Sequence, residues 1–266
     1  MIKDHKTKIG GLTVYYRTAG DPKKQTLVFL HGWGARLGRL RLVGSDSVID
    51  ELSKHFYVMA PEHPGLIRSE GPKKPWNYED YAEHLNKLIS HLELENFILL
   101  GQSFGGGIAT AYAAVFPKRI KNLVLVDSVF GGRLENFYFK GRKWWSLKYS
   151  KILKSSFVPT VIKNLVISSF LGVPVGFVDK KTLENRLLMG KIMGNLKLET
   201  NYKDLKTPTL LVWGMNDTFI TPINRAREIQ TEIKSSKLVT TTGGHSILYR
   251  KPKEVVSLIV KNLEKL

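Results

Sequence analysis

Phe97-Ile98-Leu99-Leu100-Gly101-Gln102-Ser103-Phe104-Gly105-Gly106-Gly107-Ile108-Ala109 turns from a wholly apolar run, through a glycine-rich corner, into a small apolar segment. A run that is apolar at every position, not at alternate ones, predicts a strand buried on both faces. Phe104–Phe116 is short-chained and apolar, which predicts a buried helix, and Pro117 closes it. A buried strand that turns directly into a helix opens a right-handed crossover. The stretch therefore predicts a parallel sheet with helices packed on its faces, and it places Ser103 at the corner.

The same rhythm runs outward in both directions. Leu12–Arg17 alternates apolar and polar residues and predicts an early, half-exposed strand. Leu27–Leu30, Phe56–Met59, Leu123–Val126 and Thr209–Trp213 are short continuous apolar runs, each a predicted buried strand, and Lys237–Thr240 predicts the last one. Tyr78, Tyr81, Leu85, Leu88 and Leu92 recur at helical spacing. Further helices are predicted from Pro222 to Ile233 and from Pro252 onward. Strands alternating with helices give the fold class, α/β, before any motif is invoked.

Gly131–Tyr202 breaks this rhythm, being aromatic and basic, with helix-like segments and no continuous apolar strand. Residues 1–130 and 203–266 are accordingly expected to form one core. Residues 131–202 are expected to form a helical cap over the carboxyl edge of the sheet, where open α/β sheets bind ligands.

A length of 266 residues suits one large core carrying such an insertion. No apolar run approaches the roughly 20 residues that cross a bilayer, and Met1–Lys6 holds no apolar leader segment. No stable membrane insertion and a cytoplasmic location are expected. The absence of cysteine excludes disulfides, thiolate metal sites and a cysteine nucleophile. The 41 Lys and Arg against 23 Asp and Glu leave a net charge of +18. Such an excess attracts nucleic acid, anionic surfaces or acidic substrates, or simply covers solvated faces. Between Gly131 and Lys206, 15 basic residues stand against 5 acidic ones, a local net of +10. No nucleic-acid motif accompanies that charge, and no nucleic-acid partner is expected.

A serine hydroxyl becomes a nucleophile when a base takes its proton, an acid orients that base, and donors hold the oxyanion. Gly101 and Gly105 permit the sharp turn that would lift Ser103 above the sheet at a helix N-terminus. Of seven histidines, only His31 and His245 sit in glycine-rich loops after predicted strands, and only His245 follows Ser103 in the chain. That makes His245 the candidate base. His31 is expected to hold its loop by hydrogen bonds. Two carboxylates could orient His245: Asp217, on the loop after Thr209–Trp213, and Asp127, at the end of Leu123–Val126. Asp217 is preferred because a loop after the penultimate strand reaches a histidine after the last, with Asp127 as a backup acid. The backbone amides of Phe104 and Trp33 are the candidate oxyanion donors.

His31–Gly34, Gly101–Gly106, Trp213–Asp217 with Pro222, and Gly244-His245 followed by Lys251-Pro252 together resemble the α/β-hydrolase family. Within it they resemble the cap-bearing serine esterase and meta-cleavage-type branch. The resemblance implies an eight-stranded, mostly parallel sheet flanked by helices, acyl-enzyme chemistry, and neither cofactor nor metal. One segment departs from the family pattern Asp-x-x-Gly-x-Gly-x-Ser: Pro61–Ser69 has Glu62 where Asp is usual and Ile67 where Gly is usual. A serine at 103 argues against the dehalogenase and epoxide hydrolase branches, which use a carboxylate nucleophile.

The leading expectation is a hydrolase of small esters or related acyl substrates, acting on a small-molecule partner as a monomer or homodimer. Phe137, Tyr138, Trp144 and Trp145 of the insertion are candidate substrate-binding residues. A second expectation keeps the enzyme but gives it a carboxylate-bearing substrate, as a C–C bond hydrolase, lactonase or peptidase. A third is a non-catalytic binding module that docks through its basic surface.

Overall fold

The computed structural model describes residues 1–33, 45–129, 155, 157–159, 161–162, 200–218 and 220–266. The strands are β1 (Lys3–Ile9), β2 (Leu12–Ala19), β3 (Thr26–Leu30), β4 (Tyr57–Pro61), β5 (Phe97–Gln102), β6 (Ile120–Val126), β7 (Thr209–Gly214) and β8 (Ser236–Thr241). They form one sheet in the order β1-β2-β4-β3-β5-β6-β7-β8. β2 pairs antiparallel with β1 and β4, and every other neighbouring pair is parallel. The described helices are α1 (Ser45–Ser53), α2 (Tyr78–His91), α3 (Phe104–Val115), α4 (Ile223–Glu232), α5 (Ile247–Arg250) and α6 (Pro252–Leu263). None of them is long and apolar enough to cross a membrane.

Alternate residues of the central strands feed two separate cores. Val28, Leu30, Leu99, Leu125 and Trp213 pack on one face with α2, α3 and α4, while Leu27, Phe29, Leu100, Val126 and Val212 pack on the other with α1 and α6. A strand buried on both sides has no polar alternation to show, which is why these strands read as continuous apolar runs. Each fully buried aliphatic or aromatic side chain contributes about 1.5–3 kcal/mol. β1 and α1 are not anticipated by apolar period. β1 is an edge strand of sequence KDHKTKI, mostly exposed, and α1 spans only 9 residues.

The α2 terminus follows its sequence closely. Asn77 Oδ1 accepts from the Asp80 amide at 2.8 Å, and Asp80 Oδ2 accepts from the Asn77 amide at 2.9 Å. This reciprocal capping satisfies two amides that the helix itself leaves open, worth about 1 kcal/mol. The atypical 61–69 segment has its own solution. Buried Glu62 accepts from Arg68 N at 2.8 Å and Arg68 Nε at 2.7 Å. Ile67, standing where a glycine is usual, takes φ 57°. For a β-branched residue that is a strained conformation, held here by the turn around it.

The chain order reverses between β3 and β5, whose crossovers leave to opposite faces of the sheet. A crevice opens above such a switch point, at the carboxyl ends of the strands. Trp33 follows β3 there and Ser103 follows β5.

Candidate active site

Ser103 sits between β5 and α3 with φ 51° and ψ −116°. Neighbouring backbone holds it in this turn: its amide donates to Val126 O at 3.1 Å, and its carbonyl accepts from Val129 N at 3.1 Å. Gly105 has no room for a side chain, because an added Cβ would run into the carbonyl oxygens of Leu30 and His31. α3 can therefore lie flush on the sheet. The Ser103 side chain makes no capping bond to its own helix. Its Oγ lies 2.7 Å from His245 Nε2.

The strained turn has a measurable cost. A non-glycine residue at positive φ is destabilised by about 1–3 kcal/mol, while glycine loses about 0.5–1 kcal/mol more chain entropy on folding. Ser103→Gly is therefore expected to be more stable than wild type by about 1 kcal/mol. Ser103→Ala, which keeps the Cβ, should show no such gain. Urea midpoints of the two variants check this.

His245 and Asp217 meet across the loops after β8 and β7. His245 Nδ1 lies 2.8 Å from Asp217 Oδ2. An ionised carboxylate only accepts, so Nδ1 carries the ring proton and Nε2 is left to accept from the Ser103 hydroxyl. Asp217 is buried and well served. It accepts from Ile220 N at 3.1 Å, Thr221 N at 3.1 Å and Thr221 Oγ at 2.6 Å. Burial alone would raise its pKa, but the bonds from His245 and Thr221 outweigh burial and hold it at about 2. The two loops are also tied to each other through the backbone and side chain of Asn216. Asn216 N donates to Gly243 O at 2.8 Å, and Gly243 N donates to Asn216 Oδ1 at 3.1 Å. Trp213, fully buried, anchors the acid loop from below by donating from Nε1 to Thr221 O at 2.7 Å.

Asp127 lies behind this pair. Its Oδ1 accepts from Gly214 N at 2.9 Å, and its Oδ2 has no hydrogen-bond partner among the described residues. Burial pushes its pKa up to about 7 despite the Gly214 bond and nearby His245. The native state therefore binds this proton more tightly than the unfolded chain does. Stability from this group is complete below the ordinary carboxylate range and is lost as pH rises to about 7. Asp127→Asn keeps an acceptor for Gly214. It is expected to flatten that fall, so that its advantage over wild type grows between pH 4 and 8, as measured by unfolding midpoints.

Gly32 and Trp33, directly after β3, border the site. A Cβ added at Gly32 would stand 3.3 Å from Ser103 Cβ, so this loop abuts the serine. The Trp33 ring meets the Phe104 ring edge-on at 5.7 Å between centroids. The two candidate oxyanion amides thus lie on residues in contact, one from each side of the switch point. His31 makes the loop-holding bond expected of it, Nδ1 to Gly32 O at 2.8 Å. Phe137, Tyr138, Trp144, Trp145 and most of the expected cap lie outside the described residues. Thr221, Gln102, His63 and Tyr249 escape sequence reasoning. The cue for Thr221 is its place four residues after Asp217, but the other three act across long chain separations.

A family model described as alpha/beta hydrolase fold matches residues 25–152. The chain is 30% identical over 217 residues to a Mycoplasma pneumoniae protein assigned as esterase/lipase 3, covering 80% of this chain and 75% of that one. It is 29% identical over 213 residues to a pimeloyl-[acyl-carrier protein] methyl ester esterase of Wigglesworthia glossinidia brevipalpis, covering 73% and 75%. The solved enol-lactonase of Burkholderia xenovorans superposes with a TM-score of 0.76 at 20% identity, covering 98% of this chain and all of that one, a likeness of fold. Taken with a sheet of this order, a relative at 30% identity over four-fifths of the chain shows that the chain belongs to the α/β-hydrolase family and is a hydrolase.

Proposed function

We propose that this hydrolase cleaves small carboxylic esters through an acyl-enzyme formed on Ser103. The observation that carries the reading is the continuous chain Asp217–His245–Ser103, with links of 2.8 and 2.7 Å. In the proposed reaction, Ser103 Oγ attacks the ester carbonyl carbon as its proton passes to His245 Nε2. The carbonyl oxygen becomes an oxyanion facing the Trp33 and Phe104 amides. Collapse breaks the carbon–alkoxy bond, and the leaving alcohol takes the proton from His245. Water then repeats the sequence on the acyl-enzyme, giving the acid and free Ser103. Asp217, held ionised by its bonds, stabilises the imidazolium in both halves.

The names of the two relatives above, an esterase/lipase and a methyl ester esterase, favour an ester substrate. The segment 127–208 joins β6 to β7, which are adjacent and in register. A crossover between parallel neighbours needs about a dozen residues. That surplus length supports reading 131–202 as a substrate-covering cap between two halves of one core.

The test is a panel of short p-nitrophenyl and alkyl esters with labelling by a fluorophosphonate. Turnover of short esters, with label on Ser103, supports the reading. Failure of the intact protein to turn over any ester overturns it. Faster cleavage of a carboxylate-bearing dienoate or lactone than of any ester moves the substrate class to the second expectation.

A further inference from the structure

The peptide group that joins His31 to Gly32 is held at both ends. Its carbonyl oxygen lies 2.9 Å from His63 Nε2, which donates to it, and its N–H donates to the Tyr249 hydroxyl at 3.0 Å. The following peptide group carries the Trp33 N–H. Its own carbonyl, Gly32 O, accepts from His31 Nδ1 at 2.8 Å. A peptide group is planar, so once the first is fixed only the two torsions of Gly32 decide where the Trp33 N–H points. Gly32 packs closely against Gln102, whose side-chain oxygen stands where a Cβ at position 32 would be.

We propose that Tyr249 is a positioning residue: by holding the Gly32 amide it sets the direction of the Trp33 amide and couples the oxyanion loop to the loop of the base. The proposal rests on the reading of Trp33 as an oxyanion donor. Tyr249 lies four residues after His245, on α5, and its ring packs against the second core. Gln102, next to the serine, donates from Nε2 to His245 O at 3.0 Å. The base loop, the serine turn and the oxyanion loop thus close a ring of contacts, with Tyr249 as one link. Burial keeps the clamp uncharged. It raises the Tyr249 phenol, lowers the His63 imidazole well below its ordinary value, and lowers His31 to about 4. Neutral imidazoles can hold the single-donor tautomers that these bonds require.

Tyr249→Phe removes the hydroxyl and keeps the ring. Removing an oxyanion donor outright costs about 10²- to 10³-fold, so misaiming one is expected to lower kcat by about 10- to 100-fold. KM for a short p-nitrophenyl ester should stay within about twofold, because ground-state contacts are untouched. Affinity for a trifluoromethyl ketone, whose hemiketal oxyanion occupies the same position, should fall by the factor lost from kcat. Amide exchange at Gly32, followed by NMR, should quicken in the variant. Wild-type kcat, ketone affinity and Gly32 exchange in Tyr249→Phe would overturn the proposal. If the wild type hydrolyses no ester, the ester reading fails by itself, and unchanged Gly32 exchange in Tyr249→Phe still overturns the clamp. Should Tyr249→Phe fail to fold, His63→Phe cuts the other end of the same peptide group. It must then show the same fall in kcat with constant KM, or the clamp is rejected.

Discussion

Ser103→Ala is expected to lower kcat for the best ester of the panel by about 10⁴- to 10⁶-fold while leaving the fold intact. The substitution removes one oxygen atom and nothing that holds the turn. The backbone bonds from Ser103 N to Val126 O and from Val129 N to Ser103 O do not involve the side chain. Asp217 keeps its bonds from Ile220 and Thr221, so His245 stays oriented over an empty position. What survives is rate enhancement from substrate binding and the oxyanion amides, about 10³- to 10⁴-fold over water. Steady-state kinetics beside thermal unfolding and fluorophosphonate labelling measure all three expectations. Retention of activity within tenfold of wild type, by a folded and unlabelled variant, would mean that another group attacks the substrate.

Asp217→Asn is expected to cost about 10⁴-fold in kcat. An amide in this place has two orientations, and each one is unfavourable. With its oxygen toward His245 it keeps the bond to Nδ1, but it loses the charge that stabilises the imidazolium and turns its NH₂ against the Ile220 amide. With its NH₂ toward His245 it faces the donors of Thr221 and favours the proton on Nε2, where it blocks uptake from Ser103. The same variant measures what Asp127 can do. Its Oδ1 is committed to Gly214, and burial holds it protonated up to about pH 7. A loss smaller than about 10²-fold, deepened by adding Asp127→Asn, would make Asp127 a working backup acid.

The strands and helices that carry the candidate site are those most legible in the chain, for a physical reason. β3, β5, β6 and β7 are buried on both faces over most of their length, so each contains a continuous apolar run followed by a loop, and those loops hold Trp33, Ser103, Asp127 and Asp217. β1 escapes notice because an exposed edge strand needs no apolar period, and its lysines suit an edge that must not pair further. Glu62 and Ile67 look like defects in a familiar pattern. In the structure Glu62 braces the turn through Arg68, and Ile67 accepts the positive φ. The clamp on Gly32 has no sequence signature, because Tyr249 stands 217 residues from the amide it binds. Residue types and chain order can nominate a serine, a histidine and a carboxylate, but they cannot say which side chain steadies which peptide.

The sheet order has a consequence for synthesis. The serine and its turn leave the ribosome with β5 and α3, long before β8 and the loop of His245. The base reaches the serine only after β7 and β8 have been laid beside β6, a pairing across long stretches of chain and so among the slower events of folding. In the mechanism proposed above, a nascent or half-folded chain therefore carries Ser103 with no base to activate it. On the proposed mechanism, then, Ser103 is armed only by the last strands of the sheet to be made, and ester hydrolysis through it reports a chain in which β7 and β8 have docked.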